Sequence, residues 1–245
     1  MKVKIDIEYL FPLIDLFCSV LIREVSGLHM IDLQAYLEQS EIYMTRTSDY
    51  SKLIGITGPI QYPAASLYIY SFFNWLTNFN INKQNMSDVH IVLDVFRMWL
   101  LVRIYKRAYG SVRGHPLNRK LYVFCLLLLQ AKYKFVGITH QFNDCFMMIF
   151  CLMAIHLWQY SYLWLSAILL GIAVNIKMSA LLLIPGYALT VAFEAGLIRA
   201  ILSVVLVIAL QALIGIEFLL TNPKAYIAMA YNFDRVFLKQ EQVNF

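Results

Sequence analysis

Charge is what this sequence has least of: 14% of its 245 residues are Asp, Glu, Lys or Arg, against roughly a quarter in an ordinary soluble domain. With 60% of residues hydrophobic, that shortage excludes a water-soluble globule. The 20 Lys and Arg never form a continuous basic run, and no stacking platform for single strands is present, so no nucleic acid partner is expected. Cysteine is scarce too. Cys18, Cys125 and Cys151 lie inside apolar runs, which suits buried thiols better than a disulfide framework or a zinc site; no disulfide, no metal and no cofactor are expected. The first apolar run, with Asp6, Glu8 and Asp15 around it, lacks a small-residue cleavage site and reads as an uncleaved first span. No internal repeat, low-complexity stretch or linker composition is visible. Inverted repeats or paired broken helices would mark a transporter, and neither is seen; a chain of this length, enough for about seven spans, is expected to form one membrane domain over 1–245.

What the sequence does have is apolar runs, at about 9–22, 64–79, 86–105, 121–140, 145–160, 161–177, 179–198 and 200–220, to be set against the ~20 residues that a helical span needs. Between them, Arg103, Lys106, Arg107, Arg113, Arg119 and Lys120 form a loop of cations with no acid among them, which the positive-inside rule places in the cytosol. Lys2 and Lys4 argue weakly for a cytosolic N-terminus, so an even number of crossings must precede that loop. One early run then does not cross. The run 64–79 is chosen, because Tyr68, Tyr70, Phe72, Phe73, Trp75 and Phe79 prefer the headgroup interface. The expectation is an all-α, multi-pass transmembrane protein of about seven spans. A large luminal loop over 23–85 would carry interfacial helices, and 221–245 would begin a second luminal loop. If 64–79 crosses instead, the sides scramble. The sequon Asn85-Met86-Ser87 abuts a span and reads as unused.

On this topology the polar motifs share one side. Asp32 lies in HMIDLQAYLEQ, where Ile31, Ala35 and Leu37 alternate at helical spacing with Asp32, Gln34, Glu38 and Gln39, as on a surface helix. A half-desolvated carboxylate there can act as a general base toward a sugar hydroxyl; a solvated helix face is the plainer alternative. Gly55, Gly58, Pro59 and Pro63 make GITGPIQYPA turn-rich, able to present backbone groups to a ligand. His140, Asn143 and Asp144 stand at the end of a run, where charge needs a partner or a polar cavity. Lys177 interrupts an uncharged run and either snorkels or meets an anion such as a lipid phosphate. Asp94 and Arg97, three apart inside a run, read as a structural pair.

Taken together, these strings are similar to a known family. IDLQAY (31–36), TGPIQYPA with Tyr68 to Tyr70 (57–70), FND (142–144), IKMSALLLIPG (176–186), and NPKAY, FDRVF and VNF in the tail resemble the dolichyl-phosphate-mannose-dependent alpha-1,3-mannosyltransferases of the lipid-linked oligosaccharide pathway. The resemblance covers nearly the whole chain. It implies a GT-C-type fold in the endoplasmic reticulum membrane, with its active site on the luminal face. It also implies inverting transfer of mannose from dolichyl phosphate mannose onto a dolichyl-diphosphate-linked five-mannose oligosaccharide, with membrane lipid as the surroundings.

By position, the resemblance makes Asp32 the catalytic base candidate. Tyr62, His140, Asn143, Asp144, Lys177 and Arg235 become substrate-binding candidates, with Lys177 and Arg235 meeting phosphate charge. Departures from the family pattern are Met30 and Leu33 around Asp32, His140 and Gln141 before FND, and the tail Glu241 to Phe245. Family members continue with further spans, which implies a chain truncated at its C-terminus. A truncated or divergent non-catalytic paralogue, acting as an interaction protein in the same membrane, remains the alternative.

Overall fold

A computed structural model describes residues 7–29, 32–113 and 134–233; the run 121–140 falls mostly outside them, as does Arg235. The described architecture is helical: α1 (Ile7–Ser26), α2 (Leu33–Thr45), α3 (Ala64–Leu76), α4 (Lys83–Arg113), α5 (Asp144–Trp158), α6 (Leu163–Ile176), α7 (Ile184–Ala195), α8 (Leu197–Ile214), α9 (Ile216–Thr221) and α10 (Pro223–Ala230). Among the described residues the only strands are β1 (Ile54–Gly55) and β2 (Gly58–Pro59), paired antiparallel with Gly55 opposite Gly58. Helix α1 packs on α4, α4 on α5, α5 on α6, α6 on α8 and α8 on α7. Helices α2 and α3 pack on each other, and α3 also packs on α6.

Two helices are long and apolar enough to cross a membrane by length and composition, Met178–Ala195 and Leu197–Ile214. The apolar helices α5 and α6 have 15 and 14 residues, or about 22 and 21 Å at 1.5 Å per residue. Breaks in the helices account for these lengths. Lys177 is extended (φ −150°, ψ 126°) between α6 and the 3₁₀ turn Met178–Leu183, and the run expected at 200–220 is divided at Gly215 into α8 and α9.

Helix α1 reverses the amphipathic pattern of a soluble protein. Phe11, Asp15 and Ser19 form its buried stripe, while Leu13, Phe17 and Val25 are 62%, 68% and 78% exposed. A polar stripe facing neighbours and an apolar face turned outward is the arrangement that lipid favours. Asp15, an acid inside the first apolar run, is wholly buried and ion-paired to Lys134 at 2.5 Å. The Lys134 ammonium also meets Asp94 of α4 at 2.5 Å, and Asp94 pairs in turn with Arg97. The Asp94–Arg97 pair is therefore one edge of a four-charge cluster joining α1, α4 and the π-helical turn Phe135–Thr139 that starts after Lys134.

Close approach explains two glycines. A Cβ on Gly55 would lie 2.7 Å from the Ala35 carbonyl oxygen, so only glycine lets the hairpin lie against α2. A Cβ on Gly171 would meet Leu210 at 2.6 Å, where α6 crosses α8. Small residues at helix crossings serve this purpose in membrane bundles.

The loop and the later segments share one core. Tyr50, Leu53, Ile60, Ala64 and Leu67 pack with Phe218, Tyr226 and Ala230. Tyr43 donates to Glu217 at 2.8 Å, and Asn222 donates to Asp49 at 3.0 Å.

Candidate active site

Asp32 stands at the N-cap of α2 without capping it through its side chain. Its Oδ2 lies 3.4 Å from the Tyr36 hydroxyl, one helical turn on. That hydroxyl is also 3.3 Å from the hydroxyl of Tyr62, whose ring meets Tyr36 edge-on at 5.5 Å. A single phenolic hydrogen on Tyr36 serves one of these oxygens at a time. Burial, followed by the neighbouring Tyr62, Tyr70 and Asp32, pushes the Tyr36 phenol well above its ordinary range. It therefore stays a neutral donor beside the carboxylate.

The hairpin is the scaffold that delivers Tyr62. Gln39 donates to the Gly58 carbonyl at 3.1 Å, and the Ile56 N–H donates to Glu38 at 2.6 Å. Two of the backbone groups that the sequence offered to a ligand are thus taken by α2. Gln39, expected on the polar outer face, is buried for the same reason.

Lys177 and Asp144 form the opposite wall. The ammonium lies 2.7 Å from Asp144 Oδ2, with side chains 24% and 39% exposed, and 5.6 Å from the centroid of the Tyr62 ring. The extended backbone at Lys177 turns the chain where α6 ends. Asp144 is in the first turn of α5, where the positive end of the helix dipole favours a carboxylate.

The N-terminus of α3 fastens both halves of this wall, the end of α6 and the start of α5, to the Tyr62 segment. Asn175 accepts from the Ala65 N–H at 2.8 Å, and Asn143 donates to Ser66 at 3.2 Å. Asn143 is thus a buried brace rather than an open donor. A continuous series of neighbours runs Asp32, Tyr36, Tyr62, Lys177, Asp144.

His140 faces elsewhere. Its Nδ1–H donates to the His29 carbonyl at 2.6 Å, its ring stacks on Phe142, and Nε2 is buried without a partner. Since the His29 N–H also donates to the Thr139 carbonyl at 3.0 Å, His140 clamps the segment leading to Asp32 onto the one leading to Asp144. Sequence reasoning missed Tyr36 and Tyr70 as members of the site. Tyr36 was open to discovery from its i,i+4 spacing to Asp32. Tyr70, buried with an unpartnered hydroxyl and with its ring tilted against that of Tyr36 at 4.8 Å, gave no such sign. Among the described residues no three His, Cys, Asp or Glu side chains gather as a metal site would require.

Comparison with known proteins adds the identity of these residues' relatives. A family model described as ALG3 protein matches residues 9–245. The Neurospora crassa Dol-P-Man:Man(5)GlcNAc(2)-PP-Dol alpha-1,3-mannosyltransferase is 30% identical over 240 residues, covering 96% of this chain and 51% of its own. The Arabidopsis thaliana protein of the same name is 30% identical over 215 residues, covering 88% and 47%. A Drosophila melanogaster protein, Dolichyl-P-Man:Man5GlcNAc2-PP-dolichol alpha-1,3-mannosyltransferase l(2)not2, is 29% identical over 215 residues, covering 88% and 43%. No solved structure matches the chain. The chain spans about half the length of the curated relatives it matches. With the family model extending over all but the first eight residues, the chain belongs to the ALG3 protein family.

Proposed function

We propose that this chain carries the catalytic face of an inverting mannosyltransferase. It moves mannose from dolichyl phosphate mannose to a dolichyl-diphosphate-linked five-mannose oligosaccharide, forming an alpha-1,3 bond in N-glycan precursor assembly. The observation that carries the proposal is the run of neighbours from Asp32 to Lys177, in a family whose relatives bear that transferase name. In the reaction, the acceptor hydroxyl oxygen attacks the anomeric carbon, its proton passes to Asp32, and the C1–O bond to phosphate breaks. Dolichyl phosphate leaves with the electron pair and its charge meets Lys177. Tyr36, neutral, donates to Asp32 and orients it; Tyr62 lies between base and cation and lines the sugar's position. Arg235, a second candidate cation, lies outside the described residues.

The setting we propose is a GT-C-type, multi-pass domain of the endoplasmic reticulum membrane, with this face in the lumen. The inverted stripe of α1 and the two long apolar helices support the membrane. Helix α3, packed on α2 and exposing Phe72 and Trp75 (53% and 66%), aromatics that favour the headgroup interface, supports the reading of 64–79 as lying on the surface rather than crossing.

The test supplies microsomes lacking this activity with the chain, dolichyl phosphate mannose and the lipid-linked five-mannose acceptor, with a full-length relative in parallel. Asp32→Asn is expected to lower turnover by ~10²–10⁴-fold, the usual contribution of a general base. Undiminished turnover in that variant removes Asp32 from the mechanism. No transfer by the unaltered chain while the relative is active favours the non-catalytic alternative.

A further inference from the structure

We propose that a second cleft, where the turn between α5 and α6 meets the turn between α7 and α8, binds the headgroup of a zwitterionic glycerophospholipid bearing phosphocholine or phosphoethanolamine. The cleft encloses about 610 Å³ and is walled in part by Trp158, Tyr162, Trp164, Glu194 and Arg199, a volume within the ~300–1,000 Å³ of small-ligand sites. It stands apart from the candidate active site. Helix α5 starts at Asp144 and ends at Trp158, and α6 returns from Leu163 to Ile176, so about 21 Å of helix lies between the two.

Depth, charge and rigidity select the occupant. Gly196 (φ 97°) links the two helices long and apolar enough to cross a membrane. Beside it Phe193, Leu197 and Ile198 are 88%, 67% and 75% exposed. If these helices cross, as proposed above, the cleft opens where their apolar surface ends, at headgroup level.

Glu194 and Arg199 are exposed and line the same cleft with opposite charges. Neither has an ion pair or hydrogen bond among the described residues. A guanidinium suits a phosphate, whereas a carboxylate with aromatic faces suits an ammonium. A net-anionic headgroup would place its extra charge against Glu194, and a neutral one would leave both side chains unmatched. The floor is packed and so preformed: Leu163, Val191 and Ala200 are buried together. Tyr187 donates to the Leu163 carbonyl at 3.3 Å, and Trp158 meets the Tyr187 ring edge-on at 6.0 Å.

The experiment equilibrates the full chain with vesicles of equimolar phosphatidylcholine and phosphatidylglycerol, extracts it in mild detergent, and counts retained lipid by native mass spectrometry. Phosphatidylcholine should exceed phosphatidylglycerol by about tenfold. Arg199→Ala should lower its retention by about tenfold, the effect of losing one charge-assisted hydrogen bond. Glu194→Gln should bring the ratio of the two lipids to near one by admitting phosphatidylglycerol. Leu189→Ala, on the same helix and 60% exposed, is the control and should change nothing. Equal retention of both lipids by the unaltered chain overturns the proposal, as does preference for phosphatidylglycerol or indifference to both charge variants. Mannose transfer is not the readout, so failure here and failure of the transferase reading are distinguishable.

Discussion

Lys177 and Asp144, 33 positions apart, meet at 2.7 Å with the Tyr62 ring beside them. A pair this open to solvent contributes only ~0–1 kcal/mol to stability, so its charge is available for work on a ligand. Lys177→Met should leave the thermal midpoint in detergent within a few degrees of the unaltered chain, yet raise the donor concentration needed for half-maximal mannose transfer. The reversed pair, Asp144→Lys with Lys177→Asp, should keep the fold and remain poor in donor use. Normal donor dependence in Lys177→Met would show that the pair is structural only.

Tyr36→Phe keeps the ring that packs between Tyr62 and Tyr70 and removes one hydrogen-bonding oxygen. A hydrogen bond to a charged group contributes roughly 1.5–3 kcal/mol at good geometry; at 3.4 Å to Asp32 the lower end applies. Turnover should fall by about tenfold with little change in the thermal midpoint. Tyr36→Leu, which also loses the ring contacts, should lower both.

The cluster of Asp15, Asp94, Arg97 and Lys134 balances two negative against two positive groups at almost no exposure. Lys134→Met leaves two buried carboxylates facing one guanidinium, and breaking such a pair costs about 3–5 kcal/mol. Recovery of folded protein from the membrane should drop sharply. Adding Asp15→Asn to Lys134→Met restores neutrality and should recover most of the loss. If the double variant is no better than the single, charge balance is not what Lys134 provides.

Much of this arrangement is readable from local pattern, because helices declare themselves through apolar runs and turns through glycine and proline. The runs at 145–160 and 161–177 correspond closely to α5 and α6. Asp94 and Arg97, three apart, are found paired because the helix itself brings them together. Partners distant in sequence are not readable in this way. Nothing in the spacing of Asp15, Asp94 and Lys134 tells that three elements share one charge cluster. Nor does a lone Lys177 disclose that its anion is Asp144. The burial of Gln39 has a similar origin, since its partner is a carbonyl of a hairpin that docks only through the glycine at position 55.

Asp49 supplies a pH signature chiefly for its own turn with Ser51, to which the contact from Asn222 adds. Hydrogen bonds from the Ser51 side chain, with smaller contributions from the Ser51 backbone, Asn222 and Lys52, hold its carboxyl below the ordinary aspartate value. A folded-state value lower than the unfolded one stabilises the fold above about pH 4, and the contribution is lost as pH falls through the folded value. Thermal midpoints measured from pH 6 down to pH 3 should therefore fall slightly more for the unaltered chain than for Asp49→Asn. A difference between the two that stays constant over this range would contradict the linkage.

Orientation in the membrane is open to direct labelling. Helix α4 has 31 residues, about 46 Å at 1.5 Å per residue, more than the ~30 Å hydrocarbon layer, so if it crosses, its two ends emerge on opposite sides. Lys83 and the exposed sequon residue Asn85 lie at one end; Arg103, Lys106 and Arg107 lie toward the other. Positive charge should hold the second end in the cytosol. In a cysteine-free background, Ala108→Cys should react with a membrane-impermeant maleimide in sealed right-side-out microsomes. Thr57→Cys, exposed on the hairpin beside the active-site face, should react only after permeabilisation. Labelling of both before permeabilisation means that α4 does not cross, and the reverse pattern places the Asp32 face in the cytosol. Native Asn85 should carry no glycan even in the lumen, because Ser87 of its sequon is fully buried in the first turns of α4. Its unmodified state therefore does not argue against a luminal face, and the decision rests with the paired cysteines.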